Sequence, residues 1–127
     1  IDQEGGRINR LSKFINTSKF TGEFFGNLYK NNFNKFVTYY KIYIIQTCYL
    51  MHMLGMNINT VPILDVRHKK SHNIIGDRSF SSNPKIVSKI GDFCIKNFNK
   101  EKRGTVIKHI PGHGDDKCQN DVRNTGD

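Results

Sequence analysis

Lys108 and His109 set an ammonium beside an imidazole where the β-branched run Thr105-Val106-Ile107 gives way to Pro111-Gly112-His113-Gly114. The β-branched side chains favour a strand, and it ends where Pro111 lacks a donor and Gly112 tolerates unusual dihedrals. Alone, the pair reads as a solvated lysine next to a core histidine. Two further segments change that reading. Asp2 stands at what reads as the end of a strand, and Asp65 closes the apolar run that begins at Asn57. Arg10 and Arg78 follow these two points, with Glu4 nearby in sequence. A set that mixes carboxylate, guanidinium, ammonium and imidazole suits a neutral, hydroxyl-rich ligand. An ionised Asp accepts from neighbouring hydroxyls, while Arg and Lys donate charge-assisted hydrogen bonds to sugar oxygens. A phosphate ligand calls for more cations and fewer carboxylates, and neither Gly5-Gly6 nor Gly112-His113-Gly114 matches a phosphate or dinucleotide fingerprint.

Other chemistries fit less well. His109 and His113, like His68 and His72, are four residues apart, a spacing that makes a metal pair only on a helix. The first pair spans Pro111 and Gly112 and the second lies in a basic loop, so no metal and no cofactor is implied. Cys48 and Cys94 have no histidine placed to activate them and read as small core residues. With Cys118 they form no CxxC pair, a pattern that suits a reducing compartment better than a disulfide framework.

The elements that must position these residues are legible from periodicity. Phe33, Phe36, Val37, Tyr40, Ile44, Thr47, Cys48, Met51 and Leu54 recur at steps of three and four, predicting a helix from about Asn31 to Leu54 capped by Gly55. Asn57 to Val66 reads as a largely buried strand, with a bulge or irregular pairing expected near Pro62. Residues 67–83 form a long polar loop. Asn83 and Pro84 open a second helix as N-cap and first helical residue, with Ile86, Val87, Ile90, Cys94, Ile95 and Phe98 on its buried face. Gly104 then leads into the strand ending at Lys108-His109. Helices of this length between apolar strands imply βαβ units and a parallel sheet. Asp2, Asp65 and Lys108-His109 would then share the C-terminal end of successive strands, where an α/β barrel carries its active site.

The net charge of +9 raises the question of nucleic acid. The cations are scattered, and no aromatic residue interleaves with the runs Arg67–Lys70 and Lys100–Arg103 to build a stacking platform. The charge therefore reads as composition, alongside abundant Lys, Asn, Ile, Phe and Tyr, and no nucleic-acid partner is expected. No run of about 18 apolar residues is present to span a membrane. A cytoplasmic protein is expected.

Four segments together resemble glycoside hydrolase family 3, in its bacterial β-N-acetylhexosaminidase branch. Ile1-Asp2-Gln3-Glu4-Gly5-Gly6-Arg7, with Arg10 following, is similar to the family's Asp-Gln-Glu-Gly-Gly-Arg segment. Asn57 to Val66 resembles the branch's Asn-Phe-Ala-Pro-Val-Leu-Asp-Val strand. Ile75-Gly76-Asp77-Arg78-Ser79-Phe80, followed by Asn83-Pro84, resembles its Gly-Asp-Arg-Ser-Phe segment. Lys108 to Gly114 resembles its Lys-His-Phe-Pro-Gly-His-Gly loop. The motifs run in family order from residue 1 to about 115.

The resemblance implies an α/β fold, a partial (β/α)8 TIM barrel of about a third of the full barrel. It implies removal of terminal N-acetylglucosamine from β-linked glycans, of the peptidoglycan-recycling type, with Asp2, Arg10, Arg78, Lys108 and His109 holding the nonreducing sugar. Family chemistry is retaining, through a glycosyl-enzyme intermediate on an Asp, and in this branch a His of an Asp-Ser-His segment is the acid/base. Where that segment should fall the chain has Gln119-Asn120-Asp121, and the nucleophile is expected on a later strand, so no catalytic residue is assigned. Residues 116–127 read as a divergent tail, disordered or out of frame, and the start on a motif suggests a piece of something longer. Such a piece is expected to be inactive alone and poorly stable, with strand edges unpaired. A β-glucosidase of the same family and a non-catalytic sugar-binding remnant are the rival readings.

Overall fold

The computed structural model describes residues 1–69 and 73–110. Helix α1 (Gly22–Asn31) is followed at once by α2 (Phe33–Met53), strand β1 (Ile58–Asn59), a 3-10 turn at Gly76–Arg78, helix α3 (Pro84–Lys100) and strand β2 (Gly104–Thr105). Each helix begins on a side-chain cap: the Thr21 hydroxyl accepts from Phe24 N, Asn32 from Lys35 N, and Asn83 from Lys85 N. Pro84 takes the first position of α3, where its missing N–H costs nothing. Helix α2 ends in a Schellman turn, with Gly55 at φ 72°, Gly55 N bonded to His52 O and Met56 N to Met51 O.

The expected helix over 31–54 is thus α2, trimmed at both ends, and α1 is an addition to the elements expected. Phe33 and Leu54, assigned to the buried face, are exposed, since each sits at a helix end beyond the packed centre. Tyr43 is buried in their stead. On α3, Val87, Ile90, Cys94 and Phe98 are buried as expected, while Ile86 and Ile95 are only partly covered.

β1 and β2 are parallel, with Ile58 opposite Gly104 and Asn59 opposite Thr105. A further parallel bridge pairs Ile63 with Lys108, so the first strand carries one more residue than its neighbour between the two pairings. The irregularity falls at Pro62, which cannot donate to a ladder but accepts from Lys108 N at 3.2 Å. The regular strands are therefore far shorter than the run 57–66 suggested. Residues 1–3 flank β1 on its other side: Ile1 N donates to Ile58 O (3.0 Å) and Thr60 N to Ile1 O (2.9 Å). The buried Asn59 side chain then replaces the ladder, accepting from Gln3 N and donating to Gln3 O, both at 2.9 Å.

The core lies between the helices and this small sheet, centred on Tyr40. Its ring stacks on Phe25 of α1 at 4.4 Å, meets Phe93 of α3 at 5.7 Å and meets Phe80 edge-on at 6.2 Å. A second apolar surface is uncovered: Tyr39, Ile42, Ile45, Tyr49 and Met53 of α2 are 44–65% exposed, as are Val106 and Ile107 beyond β2 in similar degree. No helix among the described residues is long and apolar enough to cross a membrane.

α1 owes its position to Gly22 and Gly26. A Cβ on Gly22 would lie 2.2 Å from the carbonyl oxygen of Arg78, and one on Gly26 would lie 1.6 Å from that of Phe80. The helix therefore rests on the backbone of residues 78–80 with no side chain between. In a solvated helix Gly→Ala stabilises by up to about 1 kcal/mol. Here the sign reverses: Gly26→Ala should lower stability by about 2 kcal/mol or more, as overpacking does. Urea unfolding of the two chains checks this, and a stabilised variant would show that α1 does not pack this way.

Candidate functional site

The charged residues meet where the three sheet segments end. Gly5 and Gly6, at φ 102° and 55°, turn the chain back so that Gly5 and Ile8 exchange hydrogen bonds of 3.1 and 3.2 Å. The turn leaves the Glu4 side chain inside and Arg7 at the tip. Arg7 Nη2 donates to the carbonyls of Asn73 (2.9 Å) and Ile74 (2.7 Å), anchoring the segment that leads to Arg78. On the far side Ser79 Oγ donates to Asp65 O at 2.6 Å, tying that segment to the end of the β1 run.

Glu4 is the hub. Arg78 grips it as a fork, Nε to Oε2 and Nη2 to Oε1, both at 2.8 Å, and Lys108 Nζ lies 2.8 Å from the same Oε1. The Glu4 side chain is only 5% exposed. Burial pushes its pKa upward, but the hydrogen bonds and charges of Arg78 and Lys108 outweigh this and hold it below the ordinary value. Arg78 is shifted upward in turn, chiefly by its bonds to Glu4.

Lys108 Nζ also reaches Asp2 Oδ1 (3.2 Å) and Thr60 Oγ1 (3.1 Å), and the Thr60 hydroxyl donates to Asp2 Oδ1. All three ammonium protons are therefore engaged. Asp2 lies below its ordinary pKa because of the bond from Thr60 and then that from Lys108. Its side chain is 47% exposed, and Oδ2 takes no bond from this cluster. His109 serves a different acid: Nδ1 lies 2.7 Å from Oδ2 of the buried Asp65, which also accepts from His109 N at 3.2 Å. An ionised Asp65 only accepts, which places the proton on Nδ1.

Of the residues the sequence nominated, the structure joins Asp2, Arg78 and Lys108 in one network and sets His109 on Asp65. Arg10 does not join. It is exposed, its backbone N bonds Gln3 Oε1, and its charge only adds to the lowering of Asp2. Glu4 and Asp65, read as neighbours of the set, are its two anchors. Thr60 was missed, since nothing in Thr60-Val61-Pro62 marks it apart from a strand residue. His72, Cys118, the loop from Pro111 to Asp115 and the tail 116–127 lie outside the described residues. Cys48 and Cys94 are buried, and that burial raises both thiols to about 12, which leaves no thiolate near neutral pH.

Residues 1–125 match the model of the glycosyl hydrolase family 3 N terminal domain. The chain is 37% identical over 116 residues to beta-hexosaminidase A of Pseudoalteromonas piscicida, covering 91% of this chain and 19% of that protein. It is 31% identical to the beta-hexosaminidase LpqI of Mycobacterium tuberculosis, over 90% of this chain and 28% of that one. Among solved structures, NagZ of Neisseria gonorrhoeae in complex with N-trifluoroacetyl-D-glucosamine aligns with a TM-score of 0.77 at 25% identity, over 89% of this chain and 33% of that one. The chain thus spans about a fifth to a third of these relatives.

The carboxylates of this network set a pH dependence. Asp2 and Glu4 titrate lower in the folded chain, so their stabilisation is complete above their unfolded values, near 3.9 and 4.3. It is lost as pH falls through the lower folded values. Urea midpoints taken from pH 7 down to pH 3 should drop through this window, and Glu4→Gln should start lower at pH 7 and fall less steeply. Equal slopes in the two chains would assign the acid sensitivity to other groups.

Proposed function

The chain belongs to glycosyl hydrolase family 3, and on that premise we propose that it is about a third of a (β/α)8 barrel carrying the nonreducing-sugar subsite of a retaining exo-β-N-acetylglucosaminidase. The parallel pairing of β1 with β2, with residues 1–3 beside β1 and the charged residues at one end, supports the barrel reading. The observation that carries the functional reading is the Asp2–Lys108–Thr60 cluster beside the Arg78–Glu4 pair.

The chemistry follows from the donors and acceptors at hand. Asp2 Oδ2 accepts from a sugar hydroxyl. Arg78 uses three of its five N–H groups, two on Glu4 and one on Ile74 O, and keeps two for sugar oxygens. Lys108, already saturated, donates to the ligand by releasing Thr60 or Asp2. His109, fixed by Asp65, completes the set. A site of this kind rejects analogues that lack the hydroxyls, because its charged groups would be left unpaired.

Turnover in the β-N-acetylhexosaminidase branch calls for a nucleophilic Asp and a His acid/base. Neither motif is legible in these 127 residues, so the role assigned here is binding and orientation. N-acetylglucosamine should bind the chain in titration calorimetry or ligand-observed NMR, and Arg78→Ala should weaken it at least about tenfold, as loss of charged hydrogen bonds does. An aryl β-N-acetylglucosaminide should not be hydrolysed. Absent binding would refute the subsite, and robust hydrolysis would show that catalytic groups have been overlooked.

A further inference from the structure

Arg78 and Lys108 converge on one carboxylate oxygen, each 2.8 Å from Glu4 Oε1. Two cations that close together are what a phosphate or carboxylate ligand seeks. Here the place is taken by the protein's own acid. Glu4 is nearly enclosed, at 5% side-chain exposure, while Arg78 and Lys108 keep 12% and 19% and so remain accessible to a ligand. Asp2 then balances the second positive charge, and Asp65 adds a further negative one beside His109.

We propose that Glu4 is a specificity-determining residue: by holding both Arg78 and Lys108 it reserves the subsite for uncharged sugars and turns away sugar phosphates and sugar acids. This rests on the sugar-subsite reading above, but it makes a separate demand on the charge balance. An anionic group approaching Arg78 must compete with a bidentate carboxylate already in place and meets Asp2 and Asp65 as repelling neighbours. The downward displacement of the Glu4 pKa means that its charge persists through the neutral range. Replacing Glu4 by Gln keeps the shape and removes the charge, so the same two cations become an anion site.

The test uses the full chain with inorganic phosphate and N-acetylglucosamine as probes, read by thermal shift and by ligand-observed NMR against chloride at equal ionic strength. In the parent chain phosphate should bind no better than the chloride control. Glu4→Gln should bind phosphate at least about tenfold tighter and be stabilised by it, since a ligand of the folded state raises its melting point. Glu4→Asp, which keeps the charge, should not gain, and Glu4→Gln combined with Arg78→Gln should lose the gain. A merely structural role for Glu4 predicts weakened folding and no new ligand. Phosphate binding by the parent chain, or no gain in a folded Glu4→Gln chain, overturns the proposal. Should Glu4→Gln not fold even in phosphate, Glu4→Ala, which removes the same charge and leaves room for an anion between the two cations, carries the test; a folded chain without the gain, or failure of both variants to fold in phosphate, overturns the proposal. Gain of phosphate without N-acetylglucosamine binding by the parent chain would refute the sugar reading and leave only the exclusion of anions by Glu4 standing. Sugar binding with no phosphate gain would do the reverse.

Discussion

A carboxylate as enclosed as that of Glu4 stays ionised only if cations are brought to it, and the fold is arranged around that requirement. Moving such a group out of water costs several kcal/mol, which is offset only by close, well-directed partners. Arg78 supplies the bidentate geometry and Lys108 the third bond. These partners lie 74 residues from Glu4 in sequence for Arg78, and 106 residues separate Lys108 from Asp2. The network therefore welds the first residues of the chain to the 3-10 turn and to the strand beyond β2. Removing either cation leaves a buried charge underpaired, a larger loss than the mutual attraction of the pair alone.

Each partner reaches Glu4 through its own backbone device. Lys108 is set by the bridge to Ile63, where its N–H and C=O bond Pro62 O and Leu64 N. Arg78 is set by three contacts on the segment around it: Arg7 on the carbonyls of 73 and 74, Ser79 on Asp65 O, and α1 lying on the carbonyls of 78 and 80 through Gly22 and Gly26. Glu4 itself is placed by the Gly5-Gly6 turn and by Asn59, whose amide stands in for a missing strand neighbour of Gln3. Gln3 passes the constraint on, accepting from Arg10 N and Leu11 N and donating to Asn9. Polar groups buried to this extent stabilise only when every partner is present, so the arrangement specifies one geometry.

How much of this was legible follows from which forces leave a trace in sequence. Burial of a helix face leaves a period, so α2 and α3 were found, with the cap at Asn83-Pro84 and the Schellman glycine. The disturbance at Pro62 was legible because proline lacks a donor. Helix α1 is only ten residues long, and its apolar set Phe24, Phe25, Leu28 and Tyr29 repeats over too few turns to stand out. Its contact surface joins Phe25, Leu28 and Tyr29 on the core to Gly22 and Gly26 seated directly on backbone, and that close approach is what the sequence hides. The residues of the site were legible from their motifs, but their pairing was not: Lys108 and His109 are neighbours in sequence and serve different acids. Arg10 shows the converse, a charged residue of the right type whose loop is held by its backbone instead of its side chain.

The chain spans about a fifth to a third of its relatives, yet the bonds of this network lie within it. Asp2, Glu4, Thr60, Arg78 and Lys108 bond one another within the first 110 residues, and His109 bonds Asp65 beside them. The uncovered apolar stripe on α2 contributes none of these bonds. Hydrophobic cover over that stripe would add stability in proportion to the area buried, without changing the direction of any donor at the site. The direction of the donors at the site and the hydrophobic part of the stability therefore rest on different parts of the same segment. The first is fixed by short polar bonds at the strand ends, and the second by the aromatic core around Tyr40.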